Sequence, residues 1–298
     1  MRPRFLQPGD KIALVAPGKR ASEAQLQLAK NVVQNWGFVP VHSSELSVHE
    51  HLYHGALAPA RKQALQAWLN DKTVRAILCL RGGYGTTQFL DELTWPSFLA
   101  DPKWIVGFSD ITALHLQLAN MGVESVHSCM PIQWDDAAQE PAIARLHQLL
   151  VGNWAPLAWT SDIASRPGTA EGIALGGNLS LLADSLATNN ELDSTGSILF
   201  IEEVDEPMYR IDRMLTQLKR AGKLDQITGL VSGFFTNTQT ASAPYGQELA
   251  EVVLSKISAS IPVAFGCPFG HNAPNHPWVS GAKIKLSVAA GQSTIEYQ

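Results

Sequence analysis

The 298-residue sequence predicts two α/β domains, the first built on a parallel sheet. Three observations carry this prediction. Short apolar runs alternate with helical patterns through the first half, at the spacing of βαβ units. Periodicity lapses between Gly152 and Gly172, in a stretch containing Trp, Ser and Pro. At about 150 residues per domain, the length allows one large domain or two ordinary ones. The expected division is residues 1–152, a crossover over 153–171, and residues 172–298.

Taken in order, Lys11–Ala16 reads as a buried strand stopped by Pro17 and Gly18. Ser22 and Gln25 form a capping box. Leu28, Val32 and Trp36 follow at helical spacing, and Gly37 supplies the stop. Phe38–His42 is the next strand. Pro59 opens a helix whose apolar face holds Ala64, Leu65, Trp68 and Leu69. Val74–Leu80 is a third strand, leading into the loop RGGYG. Thr87–Leu93 reads as helical, Trp104–Gly107 as a strand, Ile111–Met121 as a helix and Val123–Val126 as a strand. In the second half, Gly176, Gly177 and Asn178 lead into a helix through Leu179, Leu182 and Leu186. Ser197–Glu203 is a strand, and Met208, Ile211, Leu215 and Leu218 form a helical stripe. Gly229–Phe235, Pro262–Phe265 and Ile284–Val288 complete the strands read from the sequence.

Composition narrows the function classes. With 45% apolar and 16% charged residues the chain has ample core material and is not disordered. A net charge of −5 and no basic block argue against a nucleic-acid binder. The three cysteines, Cys79, Cys129 and Cys267, form no CxxC pair and read as buried thiols. The opening MRPRFLQPGDKIALVAPG has no signal-peptide core, and its run IALVAP is too short to span a bilayer. A soluble, cytoplasmic protein is the expectation, with no membrane partner.

Four places can carry chemistry. In GFSDIT a buried strand runs into Ser109 and then a helix, the geometry that exposes a serine hydroxyl beside the next backbone amide. The pattern lacks the second glycine of GxSxG, and on this local pattern alone a helix cap at Ser109 or Asp110 is the commoner explanation. In RGGYG, successive glycines let backbone amides approach an anion, or simply make a tight turn. Glu202 and Glu203 end an apolar strand, where alternation sends them to opposite faces and acids often just meet solvent. His271 lies in the turn-rich loop FGHNAPN. His49, His51 and His54 have no metal-site spacing, and a metal needs at least three converging ligands. The order Ser109, Glu202, His271 permits acyl transfer, with histidine moving the serine proton and the acid fixing its tautomer.

The segments GDKIALVAPG, LRGGYG, GFSDITALH, LGGNLSLL, FIEEVDEPMYRIDRMLTQL and FGCPFGHNAPN together resemble the LD-carboxypeptidase family. Its members include muramoyltetrapeptide carboxypeptidases and microcin-immunity peptidases. The similarity runs from about Pro8 to the end. It implies a flavodoxin-like N-terminal domain with a parallel sheet, a smaller C-terminal α/β domain, a site in the interdomain cleft, and often a homodimer. It also implies a cofactor-free serine peptidase with Ser109 as nucleophile, Glu202 as acid and His271 as base. The backbone amides of Gly83 and Asp110 would form the oxyanion hole. Family members often carry Asp at the position of Glu203, which favours Glu202 as the acid. Phe108 stands where Tyr is common, and the missing second glycine is normal there. The implied substrate is a murein tetrapeptide, cut between the L-configured centre of its diamino acid and terminal D-Ala. Arg81 is the candidate for holding the terminal carboxylate.

Two other functions fit parts of the pattern. A microcin-immunity-type peptidase acting on a peptidyl or aminoacyl nucleotide would keep the triad and need an aromatic surface, with Trp134, Trp154 and Trp278 as candidates. A two-lobed small-molecule binding protein would need no triad.

Overall fold

A computed structural model describes residues 1–43, 53–238 and 244–298; His49 and His51 lie outside them. The chain divides into two compact units. One is Met1–Asn153 with His276–Trp278, and the other is Trp154–Asn275 with Val279–Gln298.

In the first unit, β1 (Lys11–Val15), β2 (Val39–His42), β3 (Val74–Cys79), β4 (Trp104–Gly107) and β5 (Ser125–His127) pair in parallel. Their spatial order is β2-β1-β3-β4-β5, and His276–Trp278 returns to this unit from late in the chain. Strands covered on both faces need continuous apolar runs, and Ile12–Val15 and the whole of β4 are buried. Each fully buried Leu14, Ile77 or Ile105 contributes about 1.5–3 kcal/mol.

Helix α1 (Glu23–Asn35) begins with the expected capping box. Ser22 Oγ accepts from Gln25 N–H at 3.2 Å, and Gln25 Oε1 accepts from Ser22 N–H at 2.9 Å. It ends in a Schellman motif, with Phe38 N–H bonded to Val33 O at 3.1 Å and Gly37 N–H to Gln34 O at 2.9 Å. Its buried face is Leu26, Ala29 and Val33. The expected stripe of Leu28, Val32 and Trp36 is the half-buried flank, where Trp36 stacks on His147 at 5.3 Å. Helix α2 (Ala58–Asn70) buries Arg61, Leu65 and Leu69, so a charged residue occupies the first turn of its inner face. Helices α3 (Pro96–Ala100), α4 (Thr112–Asn120) and α5 (Glu140–Leu150) complete this unit.

The helix expected at Thr87–Leu93 is a series of tighter turns. Gln88, Phe89, Glu92 and Leu93 each bond three residues back, and only Leu90–Glu92 is a 3₁₀ turn. The start of this segment is held elsewhere: Thr86 N–H by Asp110 and Gly85 O by Arg61.

The second unit carries β6 (Leu157–Thr160), β7 (Gly168–Asn178), β8 (Ser197–Val204), β9 (Gly229–Thr236), β10 (Val263–Ala264), β12 (Lys283–Ala289) and β13 (Gln292–Tyr297). Trp278–Ser280 is β11 in chain order. The sheet order is β10-β9-β8-β7-β12-β13-β6. The first four run parallel, with α6 (Leu179–Asp184), α7 (Met208–Arg220) and α8 (Leu249–Lys256) between successive strands. The rest are antiparallel. Strand β7 serves both halves: Gly168–Ile173 alternates in exposure against β12, while Ala174–Asn178 is buried beside β8.

Residues 153–171, read from the sequence as a crossover, therefore carry strand β6 and the start of β7. Four residues with inward Leu157 and Trp159 are too short a run to stand out in a sequence. Helices α3, α5 and α8 and strands β6, β7, β11 and β13 lie outside the elements read from the sequence.

Candidate active site

The order β2-β1-β3-β4-β5 puts a topological switch between β1 and β3, and ligands of such sheets sit beyond the strands' carboxyl ends. At those ends lie Pro17–Gly18, the glycine loop and Ser109. Lys19 N–H bonds to Gly82 O at 2.7 Å, joining the first two loops. A Cβ on Gly82 would lie 3.1 Å from Ser109 Cβ and 3.3 Å from Asp110 N, so glycine is what lets this loop approach the third.

Ser109 has φ +61°, in the left-handed region that costs a non-glycine residue about 1–3 kcal/mol. It sits where β4 turns into a 3₁₀ segment and then α4. The residues at the two N-cap positions, Phe108 and Ile111, make no side-chain cap bond, and the Asp110 carboxylate is engaged away from both helix starts. The strained strand-to-helix turn is that of a nucleophile elbow. Beneath it, the buried His115 has Nε2 2.9 Å from Gly107 O and Nδ1 2.8 Å from Ser125 Oγ. A carbonyl only accepts, so Nε2 carries the proton and Nδ1 accepts from the hydroxyl. Burial pushes this imidazole down to about 4, which keeps it a neutral support.

The Asp110 carboxylate has a partner set that the sequence did not suggest. It accepts from Thr86 Oγ1–H at 2.6 Å, Thr86 N–H at 3.0 Å and Gly85 N–H at 3.3 Å. Burial pushes its pKa up, opposed by these donors and by Arg61. Gly83, with φ +98°, stands exposed in the same loop. Arg81 is half-buried; burial pulls its pKa down, Tyr53 opposes that and Arg20 adds to it.

The second unit brings Glu202 and His271 together. Nδ1–H of His271 donates to Glu202 Oε2 at 2.7 Å. Glu202 is completely buried, while the His271 side chain keeps 18% of its surface exposed. The acids do point apart as alternation requires, but neither meets solvent. Glu203 accepts from Asn178 Nδ2, Val204 N–H and both the amide and hydroxyl of Ser180, at 2.7–2.9 Å. It thereby completes the start of α6. Burial is the largest single influence on His271 and lowers its pKa. Glu202, Glu203 and Asp205 together outweigh it, and the net direction is upward.

The histidine loop is held by Gly270 N–H donating to Asn275 Oδ1 at 2.9 Å. Gly270 has φ +116°, and a Cβ there would lie 2.9 Å from Glu202 Oε2. Gly270→Ala is therefore expected to push the carboxylate off His271, cutting turnover by about 10²-fold, the scale of a misplaced catalytic group. Steady-state rates check this; a rate within threefold of the parent would contradict it.

No group of three or more His, Cys, Asp or Glu among the described residues is placed to hold a metal. All three cysteines are buried thiols.

Comparison with known proteins bears on both units. The LD-carboxypeptidase N-terminal domain matches residues 12–128, and the C-terminal domain of the same family matches residues 171–286. The chain belongs to the LD-carboxypeptidase family. It is accordingly a serine carboxypeptidase, a hydrolase. Among relatives of this family member, the "probable murein peptide carboxypeptidase" of Bacillus subtilis is 31% identical, covering 99% of this chain and 94% of the relative. The murein tetrapeptide carboxypeptidase of Pseudomonas aeruginosa is 29% identical, covering 94% of each. The crystal structure of muramoyltetrapeptide carboxypeptidase from Oxalobacter formigenes superposes with a TM-score of 0.86 at 28% identity, covering 96% of this chain and 98% of that one. The microcin C7 self-immunity protein MccF, in complex with aspartyl sulfamoyl adenosine, shares the fold: TM-score 0.84, 20% identity, 99% and 98% coverage.

Two of the tryptophans considered for a nucleobase are core residues of this carboxypeptidase. Trp278 is 1% exposed and stacks on His127 at 5.1 Å. Trp134 is buried and donates to Cys129 O at 3.3 Å. Trp154 packs on Tyr297 at 4.9 Å.

Proposed function

We propose that the protein removes terminal D-Ala from murein tetrapeptides in peptidoglycan recycling, with Ser109, His271 and Glu202 as its triad. The observation that carries this reading is the Glu202–His271 hydrogen bond. A completely buried carboxylate on Nδ1 fixes the imidazole with Nε2 as its proton acceptor, the state a general base requires. The names of the murein relatives support the substrate.

In this mechanism His271 Nε2 takes the Ser109 proton as Oγ bonds to the carbonyl carbon of the scissile amide. The carbonyl oxygen becomes an oxyanion facing the amides of Gly83 and Asp110. Collapse breaks the C–N bond, and the imidazolium proton passes to the departing amine of D-Ala. Water then gives a proton to His271 as its oxygen bonds to the ester carbonyl carbon; the C–Oγ bond breaks, the imidazolium returns the proton to Ser109 Oγ, and the tripeptide leaves with its new carboxylate. Arg81 holds the terminal carboxylate.

The test is mass-spectrometric detection of D-Ala loss from L-Ala-γ-D-Glu-meso-diaminopimelate-D-Ala. Its C-terminal amide and an aminoacyl sulfamoyl adenosine are run beside it. Loss from the free acid alone is expected. Equal turnover of the amide would remove Arg81 from its role, and cleavage of the nucleotide conjugate alone would replace the substrate. A homodimer and a cytoplasmic address belong to the same proposal; light scattering and cell fractionation decide them.

A further inference from the structure

We propose that the Asp110 side chain is a positioning group, locking the glycine loop after β3 onto the serine elbow after β4, with Thr86 as its principal partner. This rests on the serine mechanism proposed above. The two amides assigned to the oxyanion come from loops far apart in sequence, Gly83 on one and Asp110 on the other. Something must fix their separation, because a displacement of about 1 Å in a preorganised site costs roughly 10²-fold in rate.

The carboxylate supplies a short mechanical link. It shares a residue with one amide, and it grips Gly85 and Thr86, two and three residues beyond the other. Asp110 is 1% exposed and Thr86 is fully buried, so water does not compete for these bonds. The loop after β1 closes the arrangement: a Cβ on Gly18 would lie 2.6 Å from both Asp110 Oδ2 and Gly82 O. From behind, the buried Arg61 donates to Pro17 O and to Gly85 O, tying the same two loops. Burying a carboxylate is unfavourable unless its lone pairs are filled, and helix capping does not explain its presence here. Joining the loops that carry the two amides does.

The test uses Thr86→Val, Thr86→Ser and Asp110→Asn in the full chain, with two readouts. One is kcat and KM on the tetrapeptide. The other is the second-order rate of phosphorylation by diisopropyl fluorophosphate, followed by intact mass. In that reaction Ser109 Oγ bonds to phosphorus, fluoride leaves, and the serine proton passes to His271. Thr86→Val is expected to lower kcat and the labelling rate together by roughly 10- to 100-fold with little change in KM. Thr86→Ser, which keeps the hydroxyl, should stay within about threefold of the parent. Asp110→Asn places an amide donor against backbone donors and should fall at least as far as the valine variant. If the valine variant labels as fast as the parent, or the serine variant falls equally, the proposal is wrong. A parent chain whose Ser109 takes no label would overturn the serine mechanism itself, and this proposal with it.

Discussion

Ser109→Ala protein is expected to lose D-Ala release by a factor on the order of 10⁴ or more while keeping its fold. The role proposed for the side chain is to supply the attacking oxygen, and Ser109 stands at neither N-cap position, so its removal should leave β4, the 3₁₀ turn and α4 in place. Alanine keeps a Cβ and therefore keeps the strain of φ +61°. Ser109→Gly would be equally inactive but should melt higher, because glycine adopts that conformation without the penalty of about 1 kcal/mol or more. Release assays and thermal melts of the three proteins decide the matter. Retained release by either variant would exclude Ser109 as the nucleophile.

Glu202→Gln is expected to change both the height and the position of the pH–rate profile. In the proposed mechanism the base, His271, must be neutral, so activity should fall as pH drops through its pKa. Burial lowers that pKa, but the neighbouring acids hold it above the ordinary imidazole value. The acid limb of kcat/KM in the parent should therefore lie above about 6.5. Removing the Glu202 charge takes away the largest raising influence and leaves burial to act, so the limb moves to lower pH. The plateau should drop by about 10³–10⁴, since the imidazole loses both its fixed tautomer and the charge that stabilises imidazolium. A profile measured from pH 5 to 9 tests this. A limb that stays in place would mean that another group titrates there.

The parts of this molecule legible in the sequence are those encoded locally. Strand β4 is a run of buried residues, and the capping box of α1 needs only Ser22 and Gln25. Ser109 is marked by the strand-to-helix change around it, and the wider set of segments gave the family. What stayed hidden depends on tertiary partners. The carboxylate of Asp110 meets residues 24 and 25 positions away, which no local pattern reports. The burial of Glu203 depends on Asn178 and Ser180 at the start of α6. The inner face of α1 follows Leu26, Ala29 and Val33 because two apolar stripes exist, and only packing chooses between them.

The first unit is not one stretch of chain, because it includes His276–Trp278. Trp278 covers His127 at the end of β5, and both are almost wholly removed from water. A gene fragment ending at Asn153 would leave that ring pair broken and its apolar faces wet. The two halves are therefore poor cassettes for exchange between relatives: a chimaera joined at a single point severs the first half from its own last piece, and only a design with three junctions carries each unit over whole.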